Sequence, residues 1–236
     1  MIVSHKMLPF LAENRKKNSR VWYLDHKEEY KKLVYLPFSE IVKVLAPDVL
    51  RIDSLIVTEP RYAISRLNRD TRFSKDKSTL YRDNVWITFK RPSARWSSAP
   101  AFYLEVMQTG WRYGMGYYCC GAQTMSLFRK YISEHPEDFR KIIRPLKSLY
   151  LDTEKYKRRP AGDCPDDLAD WFMAKSMHVT YWEPDTEKLY NDSFLDDVRS
   201  GFLQAAPLYK FLMELETLPR QEEDGYIPEN RVEFEW

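Results

Sequence analysis

The sequence is poor in residues that staple a fold or hold a metal. Its 236 residues include only three cysteines, four histidines and seven glycines. Cys119 and Cys120 are adjacent, and neighbouring strand residues point to opposite faces. They are poorly placed to bond each other, and Cys164 would leave one thiol over. Such usage fits a reducing cytosol, so a cytoplasmic protein is expected. His5, His26, His135 and His178 are scattered, with no CxxC, HxxxH or HExxH spacing. No metal site is expected, and no cofactor. A phosphate-binding Gly-rich loop, a GxGxxG turn and a GxSxG elbow are all missing. No run approaches the roughly 20 apolar residues that a membrane helix requires. The apolar patch Met7 to Ala12 is broken by Pro9 and lacks a small-residue cleavage site, so no signal peptide is expected. A global charge excess is missing too, with 37 Lys/Arg against 35 Asp/Glu.

What is present is a globular composition, 44% hydrophobic and 15% aromatic. That excludes disordered, collagenous and low-complexity classes. The chain is long enough to bury a sizeable core without a disulfide or metal. Ser19 or Asn18 caps an expected helix with Trp22, His26, Tyr30, Leu33 and Val34 on one face. Pro37 to Leu45 continues it, and Pro47 with Asp48 is expected to end it. Short aromatic and β-branched runs at Arg61 to Leu67, Val85 to Lys90, Phe102 to Gln108 and Arg112 to Cys119 read as strands. Thr109-Gly110 reads as a hairpin turn, and Gly114 with Gly116 as a bulge or a close backbone approach. Helices are expected at Gln123 to Glu134, Pro136 to Leu146 and Asp166 to Lys175. Strands are expected at Leu149 to Lys157 and His178 to Trp182. Ser193 is expected to cap a last helix reaching Leu215, kinked at Pro207.

The pattern predicts an α+β fold, with a central, mainly antiparallel sheet carrying helices from both ends of the chain. One domain over residues 1–218 and an acidic tail over 219–236 is the simplest division.

The even charge total hides an asymmetry. Residues 61–95 hold ten Lys/Arg and three acids, whereas residues 184–236 hold thirteen acids and five bases. The densest basic run is Arg66, Arg69, Asp70, Arg72, Lys75 and Lys77, followed by Tyr81. Guanidinium forks match carboxylate and phosphate oxygens in pairs and stay charged at any working pH. Arg66, Arg69 and Arg72 can clamp oxygens, Asp70 can orient a guanidinium or act as a base, and Lys77 and Tyr81 can donate to the anion. A second basic cluster, with Lys157 and Arg159, and Lys175 beyond it, can complete the pocket if it folds alongside. The alternatives are nucleic-acid contact through residues 61–95, and an Arg–Asp network that only ties a loop to the sheet. Trp86, Phe89 and Trp96 interleave with bases, yet alternate strand positions favour core. The residue pattern fixes no reaction and no oligomeric state.

RLNRDTRFSKDK, spanning Arg66 to Lys77, resembles the signature of a bacterial conserved hypothetical protein family, domain of unknown function 2461. The matching positions are Arg66, Arg69, Asp70, Arg72, Phe73, Lys77 and Tyr81. Phe10 to Tyr30, Ala101 to Val106 with Gly114 and Gly116, Tyr156 to Gly162 and Ala205 to Leu212 are similar to its other segments. The resemblance implies an α+β domain of about this length and no established activity.

Overall fold

The computed structural model describes residues 2–70, 77–92 and 99–218. Arg72, Lys75, Arg95, Trp96 and the tail 219–236 lie outside the described residues.

The chain opens with a helix that the sequence reading passed over, α1 (Met7–Lys17). Pro9 falls in its first turn, where a missing N–H costs nothing because that turn has no intrahelical acceptor. Met7, Phe10, Leu11 and Asn14 form its buried face. Ser19 caps α2 (Arg20–Asp25) by accepting the Trp22 N–H at 3.3 Å. A short α3 (Lys27–Tyr30) and a π-turn over Lys31–Tyr35 lead directly into α4 (Leu36–Ile52). The expected stop at Pro47 does not occur. α4 runs five residues past it, burying Phe38, Ile41, Val42, Leu45 and Val49. Asp48 lies buried and takes the Arg199 Nε at 2.7 Å, so the residue expected to end the helix ties α4 to the C-terminal helix instead.

The expected strand Arg61 to Leu67 is absent as such. Pro60 starts a single helical turn, α5 (Pro60–Ala63), and only isolated bridges at Ile64 and Asn68 follow. The sheet consists of β1 (Val85–Phe89), β2 (Ala101–Met107), β3 (Gly110–Gly116), β4 (Tyr150–Leu151) and β5 (His178–Glu183). It is antiparallel throughout, in the order β1-β2-β3-β5-β4. The β2–β3 turn is Gln108-Thr109, one residue earlier than expected, because Gly110 already pairs with Met107. Gly110 has φ +147°, and a Cβ there would lie 2.4 Å from the Glu183 carbonyl oxygen.

After the sheet's first three strands come α6 (Ala122–Glu134) and α7 (Pro136–Ile143). The expected strand Leu149 to Lys157 shrinks to β4 plus one bridge at Lys155. The expected helix Asp166 to Lys175 is a 3-10 turn over Asp166–Leu168 followed by α8 (Ala169–Phe172). The last helix, α9 (Phe194–Thr217), passes through Pro207 unbroken, and the Ser193 side chain makes no capping bond. The fold is therefore α+β, with helices from both ends of the chain and from the connection between β3 and β5.

The two sheet faces differ. Phe102, Leu104 and Val106 of β2, Trp111, Tyr113 and Met115 of β3 and Val179 of β5 share one buried face. α9 packs there, with the Phe202 and Tyr209 rings 5.1 and 4.8 Å from Phe102. The alternate residues Trp86, Tyr103, Glu105, Arg112, His178 and Trp182 share the other face and are all partly exposed. Among the described residues, no helix is long and apolar enough to cross a membrane.

Candidate functional site

The basic run begins where the chain leaves the outer edge of β1. Ser65 donates its N–H to the Trp86 carbonyl at 2.8 Å, and its Oγ accepts the Trp86 N–H at 3.0 Å. The chain then turns out and returns as a small hairpin. The Arg69 N–H donates to Leu80 O at 2.8 Å and the Arg82 N–H to Leu67 O at 2.9 Å, around an Asn68–Tyr81 bridge. α1 holds this hairpin. Arg15 donates from Nη1 to Tyr81 O at 3.0 Å. Asn18 donates from Nδ2 to Ser78 O and accepts the Leu80 N–H through Oδ1, both at 2.7 Å. Asn18 also ends α1 in the left-handed conformation, φ 47°, which asparagine tolerates better than most residues.

Side chains along the hairpin then sort by exposure. Arg66, Asp70 and Lys77 are exposed, and Arg69 is half-buried with Nη1 3.4 Å from Thr79 O. Tyr81 is only 3% exposed and packs its ring 5.2 Å from Tyr23, so it braces the hairpin from beneath. Arg72 and Lys75 lie outside the described residues.

Arg82, which the sequence reading counted only as one base among ten, is the structural hub. Its Nη1 donates to the carbonyls of Arg66 (3.2 Å) and Asn68, and its guanidinium lies 4.9 Å above the Trp86 ring. Burial lowers its affinity for the proton, and the nearby Arg69 charge lowers it further. Asp70 and Tyr118 act in the opposite direction. Arg69, Asp70 and Arg82 therefore share one electrostatic field. Trp86, expected in the core, lies on the partly exposed sheet face, whereas Phe89 is fully buried as expected.

The second basic cluster roots elsewhere. Lys157 is exposed, and Arg159 donates to Cys164 O at 2.8 Å while lying 5.8 Å from the Phe172 ring centre. Arg159 also lines an open depression of about 700 Å³ with Ser133, Pro136 and Asp163. Lys175 pairs with Glu154 at 2.7 Å. This cluster follows β4, while the hairpin leaves β1, so the two start from opposite edges of the sheet with three strands between. No contact joins them among the described residues.

Across the open face, Arg112 donates from Nε and Nη2 to Glu105 Oε2, both at 2.7 Å, and Glu105 also accepts from Asn84 at 2.6 Å. Tyr103 donates its hydroxyl to Thr180 Oγ1 at 2.8 Å and stacks on His178 with centroids 5.2 Å apart. The strand alternation of Ala101 to Met107 was the signal that could have located this set. It places Tyr103 and Glu105 opposite the buried Phe102 and Leu104. Among the described residues, no cluster of three His, Cys, Asp or Glu could hold a metal ion.

A family model described as conserved hypothetical protein (DUF2461) matches residues 6–211. That span includes the hairpin, the whole sheet and most of α9. No curated protein matches the chain.

Proposed function

This chain belongs to the DUF2461 family of conserved hypothetical proteins, and from that premise we propose that the Arg66–Arg82 hairpin binds a small phosphate- or carboxylate-bearing ligand. The supporting observation is the Arg69–Arg82 pair. Two guanidinium groups of one hairpin lie near enough for the first to disfavour the charge of the second. An anion between them removes that repulsion and gains charge-assisted hydrogen bonds. Arg66 and Lys77 add positive charge from exposed positions, and Asp70 orients a guanidinium. Arg72 and Lys75 belong to the same proposed set by sequence. Lys157, Arg159 and Lys175 form a separate basic surface in this reading. If chemistry accompanies binding, stabilising developing negative charge is the role that this set suits. A cytoplasmic setting fits the three unpaired thiols of Cys119, Cys120 and Cys164.

Thermal unfolding in inorganic phosphate tests the reading. A ligand at a hundredfold excess over its Kd stabilises a protein by roughly 2.7 kcal/mol. Phosphate is expected to raise the Tm of the wild type and to leave Arg69→Ala unmoved, with both unfolding at the same temperature in its absence. A wild type indifferent to phosphate and other small anions overturns the proposal. An Arg69→Ala chain that is already unfolded assigns the network a structural role.

The partly exposed position of Trp86, next to Arg82, favours nucleic acid as the second reading, since aromatic and basic residues side by side on a sheet suit stacked bases. That reading requires affinity for single strands that falls steeply with salt.

A further inference from the structure

We propose that the partly exposed sheet face carries a second binding subsite, formed by Arg112, Tyr103 and His178, that takes a hydroxylated acid of sugar size. No hairpin residue enters it, so it stands independently of the anion site.

The floor is set by what β3 lacks. A Cβ on Gly114 would lie 3.0 Å from the Tyr103 hydroxyl, and one on Gly116 would lie 3.0 Å from His178 Cδ2. The Tyr103 and His178 rings can therefore lie against bare backbone, stacked at 20° to each other. The Tyr103 hydroxyl proton is committed to Thr180. The orientation of the His178 ring is likewise fixed. Its Nδ1 lies 3.1 Å from the Asp152 carbonyl oxygen, which can only accept. Nδ1 must therefore carry the hydrogen, leaving the lone pair on Nε2. Nε2 makes no hydrogen bond among the described residues, and it is not one of the unpartnered side-chain atoms sealed from solvent. The side chain is 23% exposed. Burial holds the imidazole below its usual pKa, with Arg112 acting in the same direction and Asp152 and Glu105 opposing it. At neutral pH, His178 therefore presents an acceptor.

Arg112 supplies the complementary donor. Glu105 takes its Nε and Nη2, while Nη1 has no partner among the described residues. The guanidinium carbon lies 5.9 Å from the Tyr103 ring centre, and that centre lies 5.2 Å from the His178 ring centre, so the guanidinium carbon and the imidazole centre are at most about 11 Å apart. An acid group on Nη1 and a hydroxyl hydrogen on Nε2, joined across the Tyr103 ring, describe a sugar acid or a phosphosugar. A simple fatty acid lacks the hydroxyl, and a neutral sugar lacks the anion.

Gluconate, hexanoate and glucose are the probes, followed through the carbon-bound ring protons of His178 by NMR. Gluconate is expected to shift these signals saturably and to bind about tenfold more tightly than either comparator, because each leaves one polar group of the site unmatched. His178→Phe keeps a ring on Tyr103 but removes Nε2, and should reduce gluconate to the affinity of hexanoate. Should that variant fail to fold, the wild type alone suffices, since the comparison of the three probes is made on it. Equal affinity for the three probes, or a folded His178→Phe chain that keeps the gluconate preference, overturns the proposal. Phosphate stabilisation through Arg69 is a separate readout and stands or falls by itself.

Discussion

Asn14 and Asn18 lie one turn apart on α1 and show how differently one residue type can be used. Asn18 satisfies two backbone groups of the hairpin. Asn14 is fully buried with neither amide atom hydrogen-bonded. An unmade buried hydrogen bond costs about 1–3 kcal/mol, so Asn14→Leu is expected to raise unfolding stability by about 1 kcal/mol in denaturant titration. A loss of stability would show that the amide has a partner in solution. His178 gives a pH signature. Its folded pKa lies below the ordinary 6.5, mainly through burial. The unfolded chain therefore binds this proton more readily, and stability must fall as pH drops below about 6.5. The pH dependence of His178→Phe should be flatter between pH 7 and the native titration point. Neither residue stood out in the sequence. An asparagine between Glu13 and Arg15 reads as a surface position, and His178 acquires its neighbours only through sheet pairing.

At the level of elements, β2 and β3 were legible because period-two alternation is enforced by one buried face. The misread segments have separate physical causes. Arg61 to Leu67 carries strand-forming residues, yet Pro60 presets a helical turn at its start. Pro47 reads as a stop, yet tertiary packing of Phe38, Leu45 and Val49 carries α4 through it. The π-turn at Lys31–Tyr35 leaves no trace in a three-and-four spacing. Of the two sequence readings of Gly114, the close approach describes the geometry. A Cβ there would lie 2.0 Å from the Val179 carbonyl oxygen. Backbone cannot swing aside as a flexible side chain can. Gly114→Ala is therefore expected to cost about 3 kcal/mol, the upper part of the overpacking range, and to lower the Tm accordingly. A variant as stable as the wild type would mean that β3 and β5 separate without penalty.

The whole molecule divides its charge rather than cancelling it. Among the acids of residues 184–218, Asp196 pairs with Arg199 and Glu187 lies 3.9 Å from His5, and none forms an ion pair with the basic residues 61–92 among the described residues. Arg91 is the exception to an outward-facing basic segment. It pairs with buried Asp53 at 2.6 Å, and Tyr209 of α9 donates to the same carboxylate at 2.6 Å. That triad locks the C-terminal helix to the end of β1, whereas Arg61, Arg66 and Lys77 are exposed. The charge asymmetry was plain in the sequence. Its division into one internal anchor and one external cluster was not, because burial of individual arginines depends on strand pairing and helix docking. The family match spans both parts. The most direct test of the central claim is a crystal structure grown in selenate, whose anomalous signal marks the anion. A peak bridging the Arg69 and Arg82 guanidinium groups is the predicted result. Guanidinium groups turned away from each other and engaged by the chain's own carboxylates, with no peak between them, would contradict it.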